Sequence, residues 1–169
     1  IITDHMRKSA RLASEEQAVA DVASVVNDTY LLVESSLRLE SIEFRTEIEA
    51  SMAPCKLHPV RLEQVLLNLI SNARDAFQGS QDRSDIDWIL ISAHQKSHQS
   101  IELTIADSAG GIPDSQIQRI FDPFFTTKEV GKGTGLGLSI SYSIIEASGG
   151  KLSVKNSKHG AIFTLTLPA

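Results

Sequence analysis

Three segments, arriving in a fixed order, constrain this chain more than any other property. The first is Gln64-Val-Leu-Leu-Asn68-Leu-Ile-Ser-Asn72-Ala-Arg-Asp75, largely apolar yet carrying two asparagines. The second is Asp107-Ser-Ala-Gly-Gly111-Ile-Pro113. The third, after Phe121-Asp-Pro-Phe-Phe125, is Gly131-Lys-Gly133-Thr-Gly135-Leu-Gly137-Leu138-Ser139. On a helix Asn68 and Asn72 stack on one face with Asp75 close behind, while Leu66, Leu67, Leu69 and Ile70 hold the helix to a core. A carboxamide oxygen suits magnesium, which takes few protein oxygens beside phosphate and water. Local capping and hydrogen bonding would use the same side chains. Asparagine is nevertheless a poor helix former, so two on one face of an apolar helix call for a reason.

Asp107 ends a strand, and the small residues after it serve either a flat ligand approaching the backbone or a plain strand-to-helix turn. A carboxylate at that edge accepts from an exocyclic amino group such as that of adenine. The later glycine run leads into a helix beginning near Leu136, where free N–H groups and the positive helix end make an anion site. Thr134 and Ser139 add hydroxyls there, and Lys128 and Lys132 add charge. The run lacks the Gly-x4-Gly-Lys-Ser/Thr of a Walker loop and does not follow a strand as a dinucleotide fingerprint would. Leu136 and Leu138 among the glycines argue against a solvated linker. Phe121, Phe124 and Phe125 read as core anchors, with Thr126 to Lys132 as a lid between that anchor and the glycines.

Periodicity places these segments. Residues 1 to about 11 read as the end of a helix, and Ser14-Glu-Glu-Gln17 as a break. Val22, Val25, Val26, Tyr30, Val33 and Leu37 mark an amphipathic helix, and Ile42, Phe44 and Ile48 alternate with charge as in a half-buried strand. A helix from Pro59 to about Phe77 is expected, then strands at 86–93 and 101–106. A short helix from Pro113-Asp114 through Ile120, a helix from Leu136 to Ala147, and a hairpin of 152–154 with 162–167 complete the chain. The expected class is α/β, a two-layer sandwich with a mixed sheet covered by helices on one face.

With 169 residues, 41% of them apolar, the chain supports one well-buried core. A net charge of −5 and no basic run argue against nucleic acid. The single cysteine, Cys55, excludes an internal disulfide framework. No apolar run approaches the roughly 20 residues of a membrane span. His5, His58, His94, His98 and His159 show no metal spacing. The sequence opens at Ile1 inside a helical pattern and reads as a piece of a longer protein.

The set Asn68-Leu-Ile-Ser-Asn72-Ala, Asp107-x-x-x-Gly111-Ile-Pro, Phe121-x-Pro-Phe-Phe125 and Gly133-Thr-Gly135-Leu-Gly137-Leu138 closely resembles the four boxes of the ATP-binding catalytic domain of bacterial sensor histidine kinases. The short Phe-Phe-Thr-Thr-Lys128 segment is similar to the nitrogen-regulatory and dicarboxylate-sensing branch. The resemblance covers residues 18–169 and implies the Bergerat (GHKL) fold shared with gyrase, mismatch-repair and heat-shock chaperone ATPases. Residues 1–17 resemble the end of a dimerisation and phosphoacceptor helix with its linker.

Position by position, the resemblance implies ATP and Mg2+ as cofactors, with Asn72 as the metal ligand and Asn68 beside the phosphates. Asp107 would receive the adenine amino group and Gly111 would lie beside the base. Gly133, Gly135 and Gly137 would wrap the phosphates, with Lys128 reaching toward them. Asp75, Ile112, Phe121, Thr126, Thr127, Lys132, Thr134, Leu136 and Leu138 complete the expected nucleotide-binding set. Asn68 and Lys128 are the expected catalytic residues. The family's ATPases carry a glutamate at position 68, whereas a neutral amide is no general base.

Transfer of the γ-phosphate to a histidine outside this segment is therefore expected, with the acceptor domain of a homodimeric parent and a response regulator as partners; a hydrolysing ATPase of the same fold and a non-catalytic nucleotide- or partner-binding module are the alternatives. No nucleic acid or membrane contact is expected of this cytoplasmic domain, whether or not its parent is membrane-anchored. Three departures from the family pattern stand out. Ala109 replaces the usual first glycine, which a positive φ would require, Asp75 lies where some relatives place a phosphate-binding lysine, and His58 stands where a capping aspartate commonly precedes the proline.

Overall fold

Strand alternation dictates the layering. The structure, a computed structural model, describes residues 18–79, 86–127 and 134–169. Residues 1–17, with the expected phosphoacceptor helix end, and Lys128, Gly131, Lys132 and Gly133 lie outside the described residues. The elements are α1 (Val22–Leu39), β1 (Ile42–Ile48), α2 (Pro59–Gly79), β2 (Asp87–Ser97), β3 (Ser100–Asp107), α3 (Asp114–Ile117), α4 (Gly137–Ala147), β4 (Lys151–Asn156) and β5 (Ala161–Pro168). They form one five-stranded sheet in the order β1-β2-β3-β5-β4. β1 runs parallel to β2 and every other pairing is antiparallel, so the sheet is mixed.

On one face Ile89, Ile91, Ile101, Leu103, Ile105, Phe163, Leu165 and Leu167 are buried, and the helices pack there. The alternate residues, among them Trp88, Leu90, Thr104 and Thr164, are half-buried on the uncovered face. A parallel pair needs a crossover, and α2 supplies it between β1 and β2. Its inward stripe is Leu62, Val65, Leu66, Leu69, Ile70, Ala73 and Phe77, all buried. Leu67 departs from the expectation and lies half-buried at the margin.

Local chemistry fixes the helix ends. Asp21 accepts N–H bonds from Ala23 (3.0 Å) and Ser24 (3.4 Å) at the start of α1. At α2 the imidazole of His58 takes over the capping duty, accepting the Val60 N–H at Nδ1 (3.2 Å). The departure from aspartate thus keeps an acceptor at the helix start. Tyr30 of α1 stacks on Phe44 of β1 with ring centroids 4.7 Å apart. Among the described residues no helix is long and apolar enough to cross a membrane.

Two boundaries differ from the sequence reading. β2 runs on to Ser97, because Glu49 accepts the Gln95 N–H (2.8 Å) and β3 pairs back as far as Ser100. Polar residues there look like loop by composition but are held as strand by their neighbours. The short helix stops at Ile117 and continues as tight turns, with Arg119 N–H bonding the Gln116 carbonyl.

Leu66 makes a direct test of this core. Leu66→Ala should lower unfolding free energy by about 2–5 kcal/mol, read as a lower urea midpoint with unchanged slope. A loss near zero would mean that α2 is not seated as described.

Candidate functional site

The alternation that buries Ile101, Leu103 and Ile105 carries Asp107 inward with them, to 5% exposure. A buried carboxylate is costly unless hydrogen-bonded. Asp107 Oδ1 accepts the N–H groups of Ala109 (2.9 Å) and Ala161 (3.2 Å). Oδ2 has no hydrogen-bond partner among the described residues. Burial pushes the Asp107 carboxyl above the ordinary aspartate range, and the two N–H groups pull it part of the way back.

The turn between β4 and β5 is the loop's support. The Gly110 N–H bonds the His159 carbonyl (3.0 Å). At Gly160 any Cβ would collide with the carbonyl and carboxylate oxygens of Asp107, so only glycine permits this approach. The His159 ring meets Trp88 edge-on (5.9 Å between centroids), and the Arg45 guanidinium lies 5.6 Å from the Trp88 ring centroid. Trp88 is itself tied to the loop, donating its N–H to Ser108 Oγ (2.9 Å). Ala109 is not in the left-handed region; Gly110 and Gly111, both at φ 87°, are. Alanine at that position therefore brings no backbone strain.

Asn68, Asn72 and Asp75 are half-buried beside the core stripe of α2. Asn68 Nδ2 donates to Ser141 Oγ on α4 (2.9 Å), a buried hydroxyl that the sequence motifs did not single out. The backbone of Gly137 lies against the same amide, and a Cβ there would collide with Asn68 Oδ1. The first and third sequence segments thus meet at the beginning of α4, where the first-turn N–H groups have no intrahelical acceptor. The Asn72 side chain has no hydrogen-bond partner among the described residues. Asp75 is engaged by Arg74, whose Nη2 donates to it at 3.0 Å, and Arg74 Nε also lies 3.8 Å from Glu40.

Phe121 and Phe125 are half-buried against the core, and Phe121 meets Tyr142 of α4 at 5.3 Å. Phe124 is not the core anchor expected: it is 75% exposed, with φ 66°. Its backbone instead does the anchoring, donating N–H to the Gly135 carbonyl (2.9 Å). Thr126 and Thr127 are exposed, and Leu136 and Leu138 are half-buried. Thr134 Oγ1 accepts the Leu136 N–H (3.4 Å), while Ser139 Oγ donates back to the Leu136 carbonyl (2.9 Å). Ile112 is gripped at both N–H and C=O by the Asn156 side chain (2.9 and 2.7 Å), a contact between residues 44 apart that no local pattern announces.

Asp107→Asn should be more stable than the parent at neutral pH. A carboxyl whose folded-state pKa is raised favours folding below its unfolded value and loses that contribution as pH rises through the folded value. The variant's advantage should therefore shrink as pH falls toward the ordinary aspartate value of 3.8. Thermal melts across that range decide; a variant less stable at neutral pH would contradict the assigned burial.

Residues 57–169 match the family described as histidine kinase-, DNA gyrase B-, and HSP90-like ATPase. The two-component sensor PprA of Pseudomonas aeruginosa is 34% identical over 99% of this chain, which spans 18% of that relative's length. The catalytic domain of histidine kinase ThkA, nucleotide-free, superposes with a TM-score of 0.77 at 31% identity, covering 89% of this chain and 94% of its own. ThkA in complex with the response regulator TrrA gives a TM-score of 0.73 at 26% identity, covering 98% of this chain and 47% of that one.

Proposed function

This chain belongs to the histidine kinase-, DNA gyrase B- and HSP90-like ATPase family, and we propose that it binds ATP with magnesium and passes the γ-phosphate to a histidine on a separate acceptor domain. The observation that carries the reading is Asn68 held between Gly137 and Ser141 at the beginning of α4. Phosphate oxygens suit the N–H groups of that first turn. An amide beside them orients and donates but takes no proton, so water is not activated from position 68.

Asp107 fits the adenine end. With Oδ1 committed to backbone N–H groups, Oδ2 remains to accept an exocyclic amino group. Asn72 fits magnesium, being a half-buried hard oxygen donor without a partner among the described residues. When bound, the metal would supply charge neutralisation at the phosphates. Lys128 and Lys132 would add positive charge from outside the described residues. Alignment and neutralisation are most of what phosphoryl transfer requires.

We place the acceptor-side helix end and linker at residues 1–17 and the catalytic domain at 18–169. The acceptor domain of a homodimeric parent and a response regulator are the proposed partners. Support comes from the sensor-kinase relatives and from the partner seen with ThkA.

Asn72→Ala should weaken Mg·ATP binding at least about tenfold, removing the difference between titrations with and without magnesium. Unchanged magnesium dependence would remove Asn72 from the metal site. Given ATP alone, the chain should release phosphate at a negligible rate; steady multiple turnover would favour a hydrolysing ATPase instead.

A further inference from the structure

Asn156 is the last residue of β4, the strand at the sheet's edge, and lies 44 residues along the chain from Ile112, which its side chain grips. Its carboxamide pairs with a single residue as a neighbouring strand would. Oδ1 accepts the Ile112 N–H at 2.9 Å and Nδ2 donates to the Ile112 carbonyl at 2.7 Å. Those two partners fix which way the amide faces, since one group donates and the other accepts. Aspartate at this position would offer two acceptors, and alanine neither contact.

The loop is shaped to receive this grip. Gly111 has φ 87°, and a Cβ on it would lie 2.7 Å from Asn156 Oδ1. The space beside Gly111 is therefore filled by the amide. The other ties between hairpin and loop, Ala161 N–H to Asp107 and Gly110 N–H to His159, act upstream of Gly111. Among these ties Asn156 alone reaches the downstream end, at Ile112.

We propose that Asn156 is a positioning residue for the base end of the ATP site, holding Gly111 and Ile112 at the height where a ring lies flat beside Asp107. This rests on the nucleotide-binding reading above. A displacement near 1 Å at such a contact is enough to weaken it substantially.

The test uses the full chain and two substitutions, Asn156→Ala and the isosteric Asn156→Asp, with thermal melts confirming that each folds. In the ligand-free protein, amide hydrogen exchange at Ile112 should quicken in Asn156→Ala, which removes the acceptor of that N–H, and much less in Asn156→Asp, which keeps it. Calorimetric titration should then show Mg·ATP binding weakened about tenfold in both, the loss of one or two hydrogen-bond equivalents. Binding of magnesium tripolyphosphate, which has no base, should stay at the parent value. Parent-like ATP affinity in the variants overturns the role of Asn156 while leaving the nucleotide reading intact. An equal fall for ATP and tripolyphosphate also overturns it, because the effect would then be general loosening. A parent chain that binds no Mg·ATP overturns the nucleotide reading itself, and this proposal with it.

Discussion

One buried carboxylate organises this end of the molecule. Asp107 is carried inward by the same alternation that builds the core, so its charge must be answered locally. Two backbone N–H groups answer it at one oxygen, from Ala109 in the following loop and Ala161 at the start of β5. That pair of hydrogen bonds draws loop and strand together so closely that residue 160 must be glycine. It leaves the second oxygen as an acceptor whose direction is set by the first. Burial raises the carboxyl's pKa while the two N–H groups lower it, so the charge sits where burial and hydrogen bonding oppose each other.

The junction of α2 and α4 follows a different logic. Here two helices meet, and contact rather than burial sets the geometry. α2 is amphipathic enough to dock by its apolar stripe alone, which leaves Asn68 and Asn72 on its flank. The Asn68–Ser141 bond and the absence of a side chain at Gly137 bring α4 onto that flank, so the orientation of one helix depends on the other. A larger residue at 137 or an apolar one at 68 would disturb both at once.

The elements, and the segments that the structure brings together, were legible in the sequence because both rest on local patterns. Helical spacing marked α1, Pro59 the start of α2, alternation marked β1, polar turns the hairpins of β2–β3 and β4–β5, and the glycine-rich segments the two loops. What escaped is what local patterns do not encode. The grip of Asn156 on Ile112 spans 44 residues and the Asn68–Ser141 bond spans 73, and both join segments whose proximity depends on sheet order. Phe124 was read as a core residue by composition, yet its place is fixed by a backbone bond to Gly135. His58 and Ala109 looked like losses against the usual residues, and proved compatible because an imidazole nitrogen also caps a helix and φ at 109 is not positive.

The uncovered face of the sheet carries the chain's single tryptophan. Trp88 is half-buried there, bonded through its backbone to Ser108 directly after Asp107, with His159 of the hairpin turn at its ring edge. An indole so placed lies between the uncovered face of the sheet and the loop that follows Asp107. The chain thus holds an intrinsic fluorophore beside the loop that follows Asp107, one whose emission has no second indole to confuse it.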